Sequence, residues 1–157
     1  MLSNIPDNII AFVAVVIILY IVFVIVRFRY RHREKRRMRK LLHGKKELTV
    51  DEFFAIREED YVDAPNFEGI YIIFNRSRNL YYVGQSVRVF SRVNSHFTGK
   101  GNGDVYADYI YGDDFRIRMI SLKGSGYRNL DDLERETIAR YNAYAKGYNK
   151  TKGNMGD

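Results

Sequence analysis

The sequence predicts an α+β fold: a small three-stranded antiparallel sheet flanked by helices and preceded by one transmembrane helix. Three observations predict it. A long apolar run near the N-terminus carries no charge. Three short runs rich in β-branched and aromatic residues follow much later, two of them separated by a polar turn. Segments of helical periodicity lie between and after these runs. With 157 residues the chain has room for one domain of ordinary size and an appendage. Thirteen Tyr and ten Phe are enough to build a core and argue against wholesale disorder. The chain has no cysteine, which excludes disulfide partners and thiolate metal sites.

The apolar run is Ile9 to Val26, 18 residues without a charge, proline or glycine. As a helix it spans roughly 27 Å, close to the hydrocarbon thickness of a bilayer. Its Val and Ile content would suit a buried strand, but the run is far longer than a strand, and lipid forces the backbone to satisfy itself as a helix. A cleaved signal peptide would carry positive charge before the run and small residues after it. Here Met1 to Asn8 holds no Lys or Arg, whereas Arg27, Arg29, Arg31 and Arg33 follow the run. A retained anchor is the expectation for 1–26, with the N-terminus outside and the rest of the chain cytoplasmic under the positive-inside rule.

The net charge of +7 is a local property. Residues 1–26 carry −1 from Asp7, residues 27–46 carry +10 from eleven Lys or Arg against Glu34, and residues 47–157 carry −2. The basic block continues the helix, and Gly44 is a stop signal. It serves as a topology signal and anionic-lipid contact, or as a nonspecific phosphate-binding stalk through Arg36, Arg37 and Lys40. The two roles are compatible. Residues 27–66 thus form a juxtamembrane helix and linker, and residues 67–154 the compact domain.

Within the linker, Thr49 with Glu52 three residues on reads as a capping box, and Leu48 can staple to Phe53. That helix should run to about Asp60, where the acidic segment 58–65 begins. Gly69 to Phe74 and Leu80 to Gly84 then form a β-hairpin around the turn Asn75 to Asn79. Residues 87–97 read as a helix with Phe90, Val93 and Phe97 on one face. Residues 100–103 are a loop, and Val105 to Tyr111 a short helix. Phe115 to Ile120 alternates as the third strand. Asn129 caps a last helix from Leu130 to about Ala145.

Three features carry chemistry. Leu130, Leu133, Thr137, Ile138 and Tyr141 form the inward stripe of the last helix, and Glu134 falls within it. A buried carboxylate needs an arginine partner or a metal ion, and the sequence permits both. Glu136 points to solvent. Arg92 and His96 lie four residues apart on one helix face that Arg88 extends. They form either an ordinary solvated face or a phosphate clamp. Tyr71 and Tyr82 sit on the paired strands.

The order and spacing of these residues resemble the GIY-YIG nuclease family. Gly69-Ile70-Tyr71, ten residues, and Tyr82-Val83-Gly84 match its name motif, with Val83 the one conservative departure. Arg92 follows Gly84 by eight residues and His96 follows Arg92 by four, where the family places its arginine and a frequent histidine. Leu133-Glu134 resembles its metal-binding glutamate helix, and Gly147-Tyr148-Asn149 its closing element. The resemblance covers about 67–154 and implies the three-stranded fold above.

It also implies a metal-dependent endonuclease. Glu134 would hold a single Mg²⁺ or Mn²⁺, and Arg92 would donate to the scissile phosphate. Tyr71 is the candidate general base, with His96 accepting or relaying the proton and Tyr82 positioning phosphate or water. Gly69, Gly84 and Asn149 support the site. DNA is the expected substrate, with RNA left open. A catalytically silent nucleic-acid-binding module at the membrane is the alternative, and the complete set Tyr71, Tyr82, Arg92 and Glu134 favours the enzyme.

Overall fold

Among the described residues the helices and strands follow the patterns above, with one strand more than expected. The computed structural model describes residues 6–43, 47–59 and 66–154, of which 7–8, 31–43 and 57–59 are described by their backbone alone. The side chains of Arg36, Arg37 and Lys40, and the linker from Asp60 to Pro65, therefore lie outside the described residues. The chain divides into two compact units, 1–39 and 40–157.

In the first unit, helix α1 (Asp7–His43) begins at the apolar run, continues through the basic block and ends one residue before Gly44. Its segment Ile9–Tyr30 is long and apolar enough to cross a membrane, with a mean hydropathy of 3.5, features that a signal sequence near an N-terminus shares.

The second unit follows in the order β1 (Leu48–Thr49), α2 (Val50–Glu59), β2 (Gly69–Asn75), β3 (Leu80–Ser86), α3 (Val89–Phe97), α4 (Gly103–Tyr111), β4 (Phe115–Ser121) and α5 (Leu130–Tyr141). The sheet is antiparallel and has four strands in the order β1-β4-β2-β3, not three. The added strand is two residues long, too short for any periodicity to announce it. Leu48 pairs with Ile117 and Thr49 with Arg116. Thr49 also begins α2 by the expected capping box: its hydroxyl accepts from Glu52 N–H at 3.0 Å, and the Glu52 carboxylate accepts from Thr49 N–H at 2.9 Å. Leu48 and Phe53 are both buried in the core, as a staple requires. Residues 48–56, which the sequence places with the linker, pack against the core of the domain through Leu48, Val50, Phe53, Phe54 and Ile56.

Side chains alternate across the sheet. Tyr71, Ile73, Phe115 and Ile117 face α2, α3 and α4 and pack with Phe53, Val93 and Phe97. Ile70, Ile72 and Ile120 are buried on the opposite face, where α5 lies on β2 and β3 with Leu133 and Ile138 buried. Helix α5 begins where expected, with the Asn129 side chain accepting from Asp132 N–H at 2.8 Å. It stops at Tyr141, short of Ala145, because Asn142 turns left-handed at φ 54° and closes the end.

Candidate active site

The sheet order leaves β3 as an edge strand, and the site is assembled along it. Tyr71 is buried on β2 opposite Gly84 of β3. A Cβ at Gly84 would stand 2.2 Å from the Tyr71 phenol oxygen, so the missing side chain is the space through which the phenol reaches the edge. Gly69 has a different reason. Its Cβ would meet the carbonyl oxygen of Ile120 at 2.2 Å, so glycine there permits β2 and β4 to approach.

His96 comes to this phenol from α3. Its Nε2 lies 2.9 Å from the Tyr71 oxygen, and its Nδ1 accepts from Asn102 N–H at 2.8 Å. An accepting Nδ1 bears no proton, so the neutral ring carries its hydrogen on Nε2 and donates it to Tyr71. Burial first, and the Arg92 guanidinium second, lower the His96 pKa to about 4. The Tyr82 ring lies 4.8 Å from His96 and 6.1 Å from Tyr71, completing a three-ring cluster. Burial, with Tyr82 beside it, pushes the Tyr71 phenol well above its ordinary value, while the Arg92 guanidinium pulls the other way. Arg92 is exposed at the mouth, and Arg88 is exposed one helical turn earlier.

Gly101 and Asn102 were not singled out in the sequence. A Cβ at Gly101 would lie 2.6 Å from His96 Nδ1, so the loop passes the imidazole only as glycine. Asn102 fixes the ring through its backbone and caps α4 through its side chain, which accepts from Val105 N–H at 3.0 Å. The helix begins at Gly103, two residues before its expected start at Val105, and an asparagine just ahead of that expected helix was the available signal.

Two polar groups cover the outer edge of β3. The Asn149 amide accepts from Val83 N–H at 2.9 Å and donates to Val83 C=O at 2.7 Å, in place of a neighbouring strand. Tyr148 N–H donates to Tyr81 C=O at 2.9 Å in the same row. The Tyr148 hydroxyl accepts from Asn75 at 2.8 Å and donates to Asp108 at 2.6 Å, which pins the closing segment to the domain. Two residues on from Val83, the Gln85 side-chain amide donates to Glu134 at 3.2 Å and to Asp131 at 2.6 Å.

Glu134 is 9% exposed. Burial raises its pKa, the Gln85 peptide N–H and side-chain amide lower it, and the Asp131 charge raises it again. Among the described residues no Lys or Arg forms an ion pair with it, so the ion-pair reading has no support here. Glu136 is exposed, as its position on the helix predicts.

Glu134 and the Tyr71 phenol lie on opposite faces of the sheet, one beside Gln85 and the other over Gly84. Among the described residues, no three His, Asp or Glu side chains are gathered for a metal ion. A buried carboxylate with one acidic neighbour nevertheless fits a hard divalent cation that takes its other oxygens from water and phosphate.

The α+β domain thus gathers two phenols, an imidazole and a guanidinium beside Gly84, and an acid beside the next residue of β3. Residues 67–149 match the GIY-YIG catalytic domain, and the chain belongs to that family. Membership places it among nucleases that hydrolyse phosphodiester bonds. Comparison of the chain with curated proteins and with solved structures gives no match.

Proposed function

We propose that this chain is a divalent-metal-dependent DNA endonuclease, held at the cytoplasmic face of a membrane by α1. The observation that carries the reading is the cluster of Tyr71, His96 and Arg92 at the gap left by Gly84, with Glu134 held by the next residue of the strand, Gln85. Glu134 would hold the Mg²⁺ or Mn²⁺, with Asp131 beside it. Such an ion neutralises charge on a scissile phosphate and its leaving oxygen.

The protein's own groups divide the remaining work. Arg92, exposed at the mouth, donates to the nonbridging oxygens as charge builds on them. Tyr71 takes the proton of the attacking water in its phenolate form. His96 supports that phenolate by donating from Nε2 and accepts no proton, because its other nitrogen is committed to Asn102. This assigns His96 the opposite polarity to the relay expected from the sequence. Tyr82 orders the phosphate or water against the three-ring cluster. Asn149 keeps β3 in place. The basic stalk with Arg36, Arg37 and Lys40 gathers nucleic acid near the membrane, and anionic lipid competes for it.

Plasmid nicking by the full chain in neutral detergent tests the reading. Cleavage should require Mg²⁺ or Mn²⁺ and stop with chelator. Arg92→Ala and Glu134→Ala should each slow it by about 100-fold or more while the fold persists. Undiminished cleavage by Glu134→Ala would remove the metal assignment. Because Tyr71 is held protonated in the free protein, the rate should climb through the alkaline range. It should show no acid limb near 6.5, since His96 stays neutral to about 4. A reporter fused after Asp157 should read cytoplasmic, and an external readout would overturn the topology.

A further inference from the structure

The second face of the sheet holds a cavity that the hydrolytic reading leaves unused. Helix α5 covers Ile70 and Ile120 but ends at Tyr141, and the Asn75 end of that face lies open beyond it. There Phe74, Tyr81, Tyr141, Arg116, Arg118 and Glu47 line a cavity of about 170 Å³. The cross-strand partners Phe74 and Tyr81 stack with centroids 4.3 Å apart and planes 9° from parallel. The Tyr141 ring lies 4.6 Å from Tyr81.

Two guanidiniums stand at the rim. Arg118 pairs with Glu47, and Arg116 pairs with Asp114, which Arg76 shares at 3.1 Å. The two guanidiniums that line the cavity thus meet two carboxylates, both about half exposed, which a phosphate can displace. Aromatic faces beside guanidiniums are the means by which proteins hold unpaired bases and their phosphates. The cavity is on the scale of one planar base, whereas a duplex presents no free base face to it.

We propose that this cavity holds an unpaired nucleotide of single-stranded nucleic acid, its base against Tyr81 and Tyr141 and its phosphates against Arg116 and Arg118. The proposal rests on nucleic acid being the substrate and deepens that reading by naming a single strand as what the far face takes. Tyr81 and Tyr82 point to opposite faces, and Tyr141 follows Glu134 by two turns of α5, about 10 Å, so the two sites share β3 and α5 but are set apart along them.

The test uses the full chain in neutral detergent with chelator present, so that binding is read without cleavage. Anisotropy of a short fluorescent oligothymidylate is compared with that of a duplex of the same length. Tyr141→Ala and Arg116→Ala should each weaken single-strand binding by about 10-fold and leave duplex binding little changed. Tyr141→Phe should bind as the parent does. Arg116 is a partly exposed surface residue, so its variant keeps the test valid if Tyr141→Ala melts early. Unchanged single-strand affinity in both alanine variants overturns the proposal, as does an equal loss on duplex and single strand. So does an Arg116→Ala effect confined to vesicles of anionic phospholipid, which would assign the cavity to lipid headgroups. Nicking with Mg²⁺ is assayed separately. Its absence alongside the predicted binding losses would sink the nuclease reading alone, and intact nicking with unaltered binding would sink only this proposal.

Discussion

His96 is fully buried beside a guanidinium, and the ring stays neutral down to about pH 4. In an unfolded chain it titrates near 6.5. The unfolded state thus binds more protons between those values, so stability is full above about 6.5 and falls as pH drops toward 4. The loss should reach about 3 kcal/mol. Denaturation midpoints at about pH 7 and about pH 4.5 check it, and His96→Gln should flatten that stretch of the profile. The two motif glycines separate fold from chemistry at the same scale. Gly84→Ala drives a methyl into the Tyr71 phenol and should slow cleavage about 100-fold with the fold retained. Gly69→Ala drives one into the Ile120 carbonyl, which side-chain motion cannot relieve, and should cost about 1–3 kcal/mol of stability. Melting curves and nicking rates on both variants distinguish the two effects.

At the scale of elements, the edge strand β3 depends on groups outside the sheet. Asn149 satisfies both backbone groups of Val83, so Asn149→Ala leaves a donor and an acceptor unpaired in a partly buried place. A loss of about 1–3 kcal/mol is expected, together with slower cleavage, because Gly84 and Gln85 follow directly. Thr49→Ala removes one arm of the capping box far from the chemistry. It should cost about 1 kcal/mol and leave the rate per folded molecule unchanged. Helix α5 shows how one element serves two ends. Near its start Glu134 meets Gln85, and at its end Tyr141 walls the far cavity. Its length was overestimated in the sequence because Ala143 and Ala145 favour helix, yet the left-handed Asn142 stops it first.

For the whole molecule, charge and hydropathy divide the labour. The domain from 47 onward carries −2, so the +10 of residues 27–46 dominates long-range attraction of phosphate. Changing Arg36, Arg37 and Lys40 together to Gln should reduce the log–log salt slope of DNA binding by about 3 if all three touch phosphate. An unchanged slope would leave the stalk to the lipid. The apolar segment itself was legible from composition alone, since 18 uncharged residues in one run are long enough as a helix to cross a membrane. The hairpin, α3, α4 and the third long strand were legible too, because their periodicities are local. Strand β1 was not, because two residues have no period and Leu48–Thr49 becomes a strand only through β4.

Residue types and spacing, properties of the chain alone, determined the family, the elements and the residues to watch: two tyrosines on a hairpin, Arg92 and His96 one turn apart, and an acid among apolar neighbours. Tertiary structure decided what those residues do to one another. Only folding brings Asn102 to Nδ1 of His96 and thereby sets which ring nitrogen faces Tyr71. Only folding turns Gly84 into an opening and Gln85 into the link to Glu134. Proton position, burial and charge depend on neighbours distant in sequence, and no local pattern records them.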